Sequence, residues 1–496
     1  MTPTGSKCTT ALSGRIHMTT IQPLTNTRLI TTGAAALAIG SVLLATTPGD
    51  DSRAEEERTR PVDQRSVYEA TDRPLDPRID PERITESEPP PLPEMVLLPK
   101  PPEHRIAPDA KWVPIDESYW EKALEAIERG LTFLRETQDE DGAWMVGHRV
   151  APTDDPSALS PISAAVTALA VKAIVQSHTD GKQRAIELEE VQRALRAIRR
   201  NQREDGSFEG GALTNYVTSS VVMALASLED PESMNTMREA VLWLQSNQWT
   251  QEQGVSSEQD WFGGAGYGGH GRPDLSNTQL MLDALYDAGL SPDEPAFQKA
   301  LAFVSRAQNL SETNQSEWAG DDGGFIYTPA GGGESFASQE VGEGRYGEKI
   351  PEGEPRSLRS YGSMTYAGFK SMMYAGLSPD DVRVRAAFDW IRRNFTFKEN
   401  PGLGLQGLYY YYHTMARALN VAQQHEITDT EGDQYNWREE LIGAIAERQR
   451  EDGSWKNEAD RWLEGEDVMA TVYAVLSLQE AIKPVWTLEP DSEDVE

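Results

Sequence analysis

The residues best suited to chemistry lie where largely apolar helices are predicted to begin. His413 could act as a general acid or base, and Asp274 and Asp467 could supply carboxyl groups. Such groups catalyse proton transfer when they lie within hydrogen-bond reach of a substrate. We therefore predict Asp274, His413 and Asp467 as catalytic residues. Residues predicted to bind the ligand are an amide and three phenols at similar positions: Asn277, Tyr361, Tyr366 and Tyr410.

Each of these residues also has a structural interpretation. An aspartate at a helix start caps free N–H groups and is favoured by the helix dipole, so Asp274 and Asp467 could serve stability alone. His413 at a buried helix start could be a hydrogen-bonded core residue. Tyr409–Tyr412 cover all faces of one helical turn, so at most two of these four side chains can line a cavity. The sequence leaves both interpretations open.

The elements that must position these residues are copies of one repeat. An amphipathic helix ends in Gln, and Asp-Gly and an aromatic residue follow, in Leu131–Trp144, Ala194–Phe208 and Leu441–Trp455. Less regular copies are Ala240–Trp249, Ala300–Asn309 and Ala386–Phe395. A second, nearly uncharged helix follows each copy and carries a threonine in register: Thr167, Thr218, Thr278, Thr365, Thr414 and Thr471. The charged first helices are predicted to be exposed and the second helices buried.

Six such helix pairs predict an all-α fold, the (α/α)6 toroid, in which six outer helices surround six inner ones. An open solenoid would need atypical terminal repeats. Here the first and last units carry the best motifs, which favours a closed ring. The Gln and Trp residues of the motif are predicted to join the outer helices and are not proposed as a site: Gln138, Trp144, Gln202, Gln449 and Trp455.

The pattern Q-x-x-D-G-x-W resembles the QW repeat of squalene–hopene and oxidosqualene cyclases, and it is similar to the repeat of prenyltransferase β-subunits. The copies QDEDGAW, QREDGSF and QREDGSW carry this resemblance. It implies a toroid with an active site in its central cavity and a hydrophobic, terpenoid-like substrate. Function must still be argued from the cavity, because the same fold hosts unrelated activities.

Two departures from these families limit what the resemblance implies. The cyclases take their acid from D-x-D-D, which this chain lacks; its acidic pairs lie beside Pro or Gly, at Asp154-Asp155, Asp321-Asp322 and Asp380-Asp381. Protein prenyltransferases bind zinc through Asp, Cys and His, and Tyr412-His413-Thr414 resembles their histidine motif. The only cysteine is Cys8, far outside the repeats, so we predict no metal site and assign no cofactor.

The N-terminal part of the chain has the composition of an export signal and a spacer. An apolar run over residues 29–45 follows Arg28, which is typical of a signal peptide or of an N-terminal anchor. We assign residues 1–49 to this segment, starting at Met1 or Met18. A Pro-rich, acidic and disordered linker is predicted at 50–110, the toroid at 111–483, and an acidic tail at 484–496. N-terminal sequencing of the mature protein tests the cleavage.

The net charge and the predicted cavity limit the classes of partner that the protein could bind. The net charge of −34 argues against nucleic acid, whose binding depends on Lys and Arg. We predict an exported protein, periplasmic or extracellular, that contacts membrane only through an uncleaved anchor. Its partner would be a hydrophobic small molecule or a glycan. Glycine-rich loops at Phe262–Asp274 and Gly320–Lys349 are predicted to arch over the cavity mouth.

Three functions remain open at this point. The first is binding or transformation of a hydrophobic, terpenoid-like ligand in the cavity. The second is a non-catalytic scaffold whose rim loops dock a protein or glycan, and the third is a polysaccharide lyase or hydrolase. An aromatic wall that continues into the cavity would favour the first function. A cavity filled by Met and Leu side chains would favour the second.

Overall fold

A computed structural model of the chain describes residues 111–147, 159–178, 184–228, 230–338 and 357–487. The predicted signal or anchor at 1–49 and the predicted linker at 50–110 lie outside the described residues. Among the helices that are described, none is long and apolar enough to cross a bilayer.

Twelve α-helices make up about half of the described residues, and they alternate between an outer and an inner position. The outer helices are α1 (Glu117–Thr137), α3 (Glu189–Arg199), α5 (Pro231–Ser246), α7 (Pro295–Arg306), α9 (Val382–Asn394) and α11 (Trp437–Ala446). The inner helices are α2 (Pro161–Gln176), α4 (Thr214–Ala226), α6 (Leu275–Asp287), α8 (Gly362–Tyr374), α10 (Leu408–Val421) and α12 (Asp467–Ile482). Most residues of the inner helices are buried, whereas each outer helix buries one face.

The inner helices form a closed ring. Each contacts the next in chain order, and α12 returns to contact α2. Strand β1 (Lys111–Val113) also pairs antiparallel with β6 (Val485–Thr487), which joins the two ends of the repeat region. The predicted (α/α)6 toroid is confirmed. The predicted acidic tail, 484–496, begins too early, because its first residues include this strand.

The motif glutamines join neighbouring outer helices, as predicted. Gln138 Nε2 donates to the carbonyl of the glycine in its own motif at 3.0 Å and to Glu190 O of α3 at 2.8 Å. Gln449 Nε2 makes the same pair of bonds, and its second partner is Ala126 O of α1 at 2.9 Å. The last outer helix is therefore bonded to the first. Gln202 departs from the prediction, because its side chain is exposed.

The threonines that set the register bond the motif loops to the inner helices. In five repeats the threonine hydroxyl accepts a backbone N–H of the preceding loop at 3.0–3.2 Å, from an aromatic residue in four of them and from Ala265 in the third repeat. The five threonines are Thr167, Thr218, Thr278, Thr365 and Thr471. The Thr414 hydroxyl donates to Tyr410 O one turn earlier in the same helix, a bond that Thr278 and Thr365 make as well. The bond from the motif loop to the hydroxyl explains why a threonine recurs at this position.

Short strands and glycines shape the loops at the rim. Strands β2 (Ala265–Gly266) and β3 (Pro273–Asp274) form a small ladder, and β4 (Glu426–Thr428) pairs with β5 (Gln434–Asn436). Gly263 has φ +85°, and a Cβ there would lie 1.9 Å from Lys299 O of α7. Only glycine allows the loop to approach the next outer helix so closely.

Candidate functional site

An aromatic pocket lies where several inner helices begin. The space between its walls measures about 470 Å³, a figure that includes volume open to solvent. Its wall is formed by Tyr216, Ser276, Tyr327, Phe336, Tyr361, Ser363, Met364, Tyr410, Trp462, Glu464 and Tyr473. Seven of these side chains are aromatic, and one is methionine. The pocket is therefore lined mainly by aromatic side chains and is not filled by Met and Leu side chains.

Loop residues complete this wall at the mouth. Tyr327 and Phe336 come from the second glycine-rich loop, and their ring centroids lie 4.3 Å apart. Phe336 also lies 6.3 Å from the Tyr361 ring and 5.9 Å from the Trp462 ring. The described part of that loop, residues 320–338, thus contributes to the pocket wall.

The four predicted ligand-binding residues divide into two pairs. Tyr361 and Tyr410 line the pocket. Asn277 is fully buried behind it, and its amide donates to Asp274 Oδ2 at 2.8 Å. Tyr366 of α8 is also buried, and its ring lies edge-on to the ring of Tyr411 on α10. Neither Asn277 nor Tyr366 belongs to the wall.

Asp274 lies directly behind the wall and also caps α6. Its Oδ1 accepts the backbone N–H of Asn277 at 2.8 Å, as an N-cap does. Burial raises the pKa of its carboxyl to about 7, because desolvation outweighs the hydrogen bonds from Asn277 and Tyr327. The contact with Tyr327 links Asp274 to the pocket. Capping and a role at the site are therefore compatible in this residue.

The other two catalytic candidates lie elsewhere. His413 packs against the Tyr473 ring at 5.7 Å, and none of the described residues hydrogen-bonds its Nε2. Burial, with Lys370 adding to it, lowers the pKa of His413 to about 3, so the ring is neutral at neutral pH. Asp467 accepts a hydrogen bond from Arg450 Nη1 at 2.8 Å, and 34% of its side chain is exposed. The structure does not bring these two residues to Asp274.

Glu464 is a pocket residue that the sequence reasoning missed. Its Oε1 accepts the N–H of Tyr410 at 2.8 Å, and its Oε2 accepts from Asn457 Nδ2 at 2.7 Å. Burial raises the pKa of Glu464 to about 7, in spite of these hydrogen bonds at the N-terminus of α10. Counting back from Thr471 selects Asp467 instead. Glu464 lies outside this register, because its carboxyl accepts a backbone N–H at the start of α10 rather than at the start of α12, the helix that follows it.

Glu464 should make stability depend on pH. A carboxyl whose pKa rises from 4.5 to about 7 on folding favours the folded state at low pH and loses that contribution between those values. The loss amounts to about 3 kcal/mol. We expect Glu464→Gln to flatten this fall, which urea unfolding at about pH 5 and pH 7.5 would measure. The pKa of Asp274 is also raised, so this residue changes stability with pH in the same direction. The Glu464→Gln variant keeps Asp274, so part of the fall should remain.

The exposed Glu458 offers a matched control for this experiment. Glu458→Gln should keep the wild-type change in unfolding free energy between the two pH values, because its carboxyl is in contact with solvent. An unchanged pH dependence in Glu464→Gln would contradict the assignment.

A buried charged network lies behind the pocket. Asp283 accepts hydrogen bonds from Lys370 Nζ, Tyr374 Oη and Arg417 Nε, each at 2.7 Å. Arg417 Nη2 also reaches Asp287 Oδ1 at 2.5 Å. The buried charges balance, with three cations and three anions: Lys172, Lys370, Arg417, Asp283, Asp287 and Glu480. Five inner helices are joined by these ion pairs. The described residues hold no group of three or more His, Cys, Asp or Glu side chains placed to bind a metal.

Comparison with known proteins agrees with this architecture. The family model of the squalene–hopene cyclase C-terminal domain matches residues 145–328. The resemblance to squalene cyclases is confirmed. The match spans three residues of the pocket wall in this squalene cyclase-like chain, Tyr216, Ser276 and Tyr327. No curated protein matches the chain.

Several solved structures are similar at low identity. The type II terpene cyclase MstE from Scytonema has 14% identity and a TM-score of 0.41, over 73% of this chain and 99% of its own. A variant of that enzyme in complex with its substrate, geranylgeranyl dihydroxybenzoate, has 14% identity and a TM-score of 0.43, over 74% and 99%. The α-1,6-mannanase from Salegentibacter has 10% identity and a TM-score of 0.44, over 73% and 98%. Similarity at this level carries no information on substrate.

Proposed function

We propose that this protein binds a hydrophobic, isoprenoid-like small molecule in the aromatic pocket at the inner-helix starts. The observation that carries the proposal is the wall itself, to which seven aromatic side chains contribute. Aromatic rings bury large apolar areas and present faces that attract positive charge. The match to a squalene–hopene cyclase domain supports the same class of ligand.

The alternative functions find less support in the pocket. Glycoside hydrolysis generally needs two carboxyl groups that flank the bond, about 5–9.5 Å apart. Glu464 is the carboxyl of the wall, whereas Asp274 lies behind Tyr327. A plain scaffold would be favoured by a cavity filled with aliphatic side chains, and here Met364 alone among the wall residues has one.

The pocket also has groups for acid chemistry on the ligand. The pKa values of Asp274 and Glu464 are both raised to about 7 by burial, so each keeps a proton in much of the population at neutral pH. We propose that Glu464 donates a proton directly and that Asp274 acts through Tyr327. Glu464 would transfer its proton to a ligand oxygen and become a carboxylate, whereas Asp274 would pass its proton to the Tyr327 hydroxyl as that hydroxyl gives its own hydrogen to the ligand oxygen. Export, which rests on residues 29–45, would place this ligand outside the cytoplasm.

Trp462→Ala should weaken ligand binding at least tenfold. The tryptophan ring forms part of the wall beside Phe336, and loss of an aromatic anchor commonly costs 2 kcal/mol or more, about 30-fold in affinity. Isothermal titration calorimetry with farnesol measures the effect. Trp112→Ala is the matched control, because Trp112 lies on β1 and is 52% exposed.

The result distinguishes the proposed function from its alternatives. Farnesol binding to the wild type and to Trp112→Ala, with loss in Trp462→Ala, supports the proposal. Failure of the wild-type protein to bind farnesol, or binding of a mannan oligosaccharide in its place, would reject it. Circular dichroism of each variant shows whether the fold is intact.

A further inference from the structure

The Glu464 carboxyl receives a hydrogen bond on each of its two oxygens. Oε1 accepts the backbone N–H of Tyr410 at 2.8 Å, in the first turn of α10. The residue before this helix is Gly407, which has no side chain to cap it, so Glu464 supplies a carboxyl at the helix start. Oε2 accepts from Asn457 Nδ2 at 2.7 Å. A backbone N–H can only donate, whereas the second contact depends on which way the Asn457 amide faces.

Two backbone groups fix the direction of the Asn457 amide. Its Oδ1 accepts the N–H of Ala459 at 3.0 Å, and its Nδ2 donates to Leu405 O at 2.7 Å. A reversed amide would place an NH₂ group against an N–H and an oxygen against a carbonyl, so it would lose both bonds. Asn457 is buried, and its backbone N–H donates to Glu464 O at 2.9 Å, which holds the two residues together. Asn457 therefore presents a donor to the Glu464 carboxyl.

We propose that Asn457 is the positioning residue for the proton donor of the pocket, Glu464. Asn457 and the start of α10 both donate to the carboxyl, so neither can take up its acid hydrogen, which is left for the ligand oxygen. The Asn457 amide also stabilises the carboxylate and so lowers the pKa of Glu464, against the burial that raises it. The inference rests on the proposed function, in which Glu464 donates directly to the ligand.

The other ionisable groups around Glu464 keep one charge state near neutral pH, with one exception. Three phenols lie near it on α10 and α12, Tyr409, Tyr412 and Tyr473. Burial raises the pKa of each phenol above the usual 10, so all three stay neutral. Arg461, the cation on the same loop, stays charged. The exception is Asp274, whose pKa is also raised to about 7.

The methyl ether of farnesol reports the protonation of Glu464, because its oxygen accepts a hydrogen bond but cannot donate one. Its affinity for the wild-type protein should fall about fivefold between about pH 5.5 and pH 8.5, since the carboxylate has no hydrogen to give. Serine and tyrosine hydroxyls of the wall can donate throughout this range, so they add no pH dependence. Farnesol can donate to the carboxylate and should change less. Calorimetry measures both, and Glu464→Gln shows the share that comes from Asp274.

Two substitutions of Asn457 should change this pH profile in different ways. Asn457→Leu removes a donor to the carboxylate, so the midpoint of the fall should move up by about one pH unit. The affinity for the ether at the acidic end should stay close to that of the wild type, because the acid remains protonated. Asn457→Asp has nearly the same shape but offers Glu464 an acceptor. The acid hydrogen would then turn to the new carboxylate, and the affinity for the ether should fall about fivefold even at the acidic end.

A purely structural role of Asn457 would weaken the ether and farnesol alike and leave the midpoint in place. An unchanged midpoint in Asn457→Leu, or wild-type affinity for the ether at the acidic end in Asn457→Asp, overturns the inference and leaves the pocket standing. Either variant decides this if the other does not fold. Asn235→Leu, at an exposed position of α5, is the matched control and should keep the wild-type profile.

The wild-type protein separates this inference from the proposed function. Binding of the ether without any pH dependence overturns the inference, because Asn457 would then have no proton donor to position. Absence of binding to both the ether and farnesol rejects the proposed function itself.

Discussion

Asp283→Asn is expected to lower the free energy of unfolding by about 3–5 kcal/mol, because it leaves buried charges without their partner. The Asp283 side chain is 2% exposed and accepts from both Lys370 and Arg417. An amide in its place would present an NH₂ group to one of these cations and supply no negative charge. Urea unfolding followed by circular dichroism measures the loss.

The charge balance offers a test of this explanation. The double variant Asp283→Asn with Lys370→Met removes one charge of each sign, so it should be more stable than the two separate losses predict. Asp380→Asn, at an exposed loop position, should change stability by less than about 0.5 kcal/mol. Additive losses in the double variant would show that Asp283 acts through packing rather than charge.

The same network predicts a loss of stability in acid. Burial raises the pKa of Asp283, but Lys370 and Arg417 lower it more, so its pKa in the folded protein lies below the usual 3.8. A carboxyl with a lowered pKa stabilises the fold above its unfolded pKa and loses that contribution as pH falls below it. Glu464 has the opposite sign, since its pKa is raised. Stability should therefore be greatest at mildly acidic pH, between these two effects.

The fold was predictable because its contacts are local and repeated. Four copies of the motif place a glutamine amide on the next outer helix, and five of the six register threonines accept one backbone N–H, so one pattern identifies most of the units. Gln202 shows the limit of such a pattern: it has the letters of the motif, but its side chain is exposed.

The pocket was predictable only where it follows the inner-helix register. Tyr361 and Tyr410 lie four residues before their threonines and were found. Three further wall residues lie two residues before theirs, a column that the sequence could have revealed: Tyr216, Ser276 and Ser363. Phe336 and Trp462 come from loops, whose residues have no period, and their place depends on loop packing that no local pattern records.

Trp455→Ala should destabilise the protein by about 3–5 kcal/mol, because it opens a large cavity at the junction that closes the ring. The side chain is completely buried, and its Nε1 donates to Ile445 O at 2.8 Å. A Cβ on Gly130 of the first outer helix would lie 2.9 Å from the Trp455 ring, so the ring packs directly between the last and first repeats. The thermal transition of purified protein measures the loss.

Trp455→Phe separates the closure of the ring from the indole hydrogen bond. The second repeat has Phe208 at this position, fully buried, so a phenyl ring is compatible with the fold of the motif. Its cost should be about 1–2 kcal/mol, since most of the apolar volume remains and one carbonyl loses its donor. If Trp455→Ala cost no more than Trp455→Phe, the junction would not depend on the buried ring. A loss confined to the alanine variant would instead show that the last repeat is held to the first mainly by this apolar contact, which an open solenoid does not have.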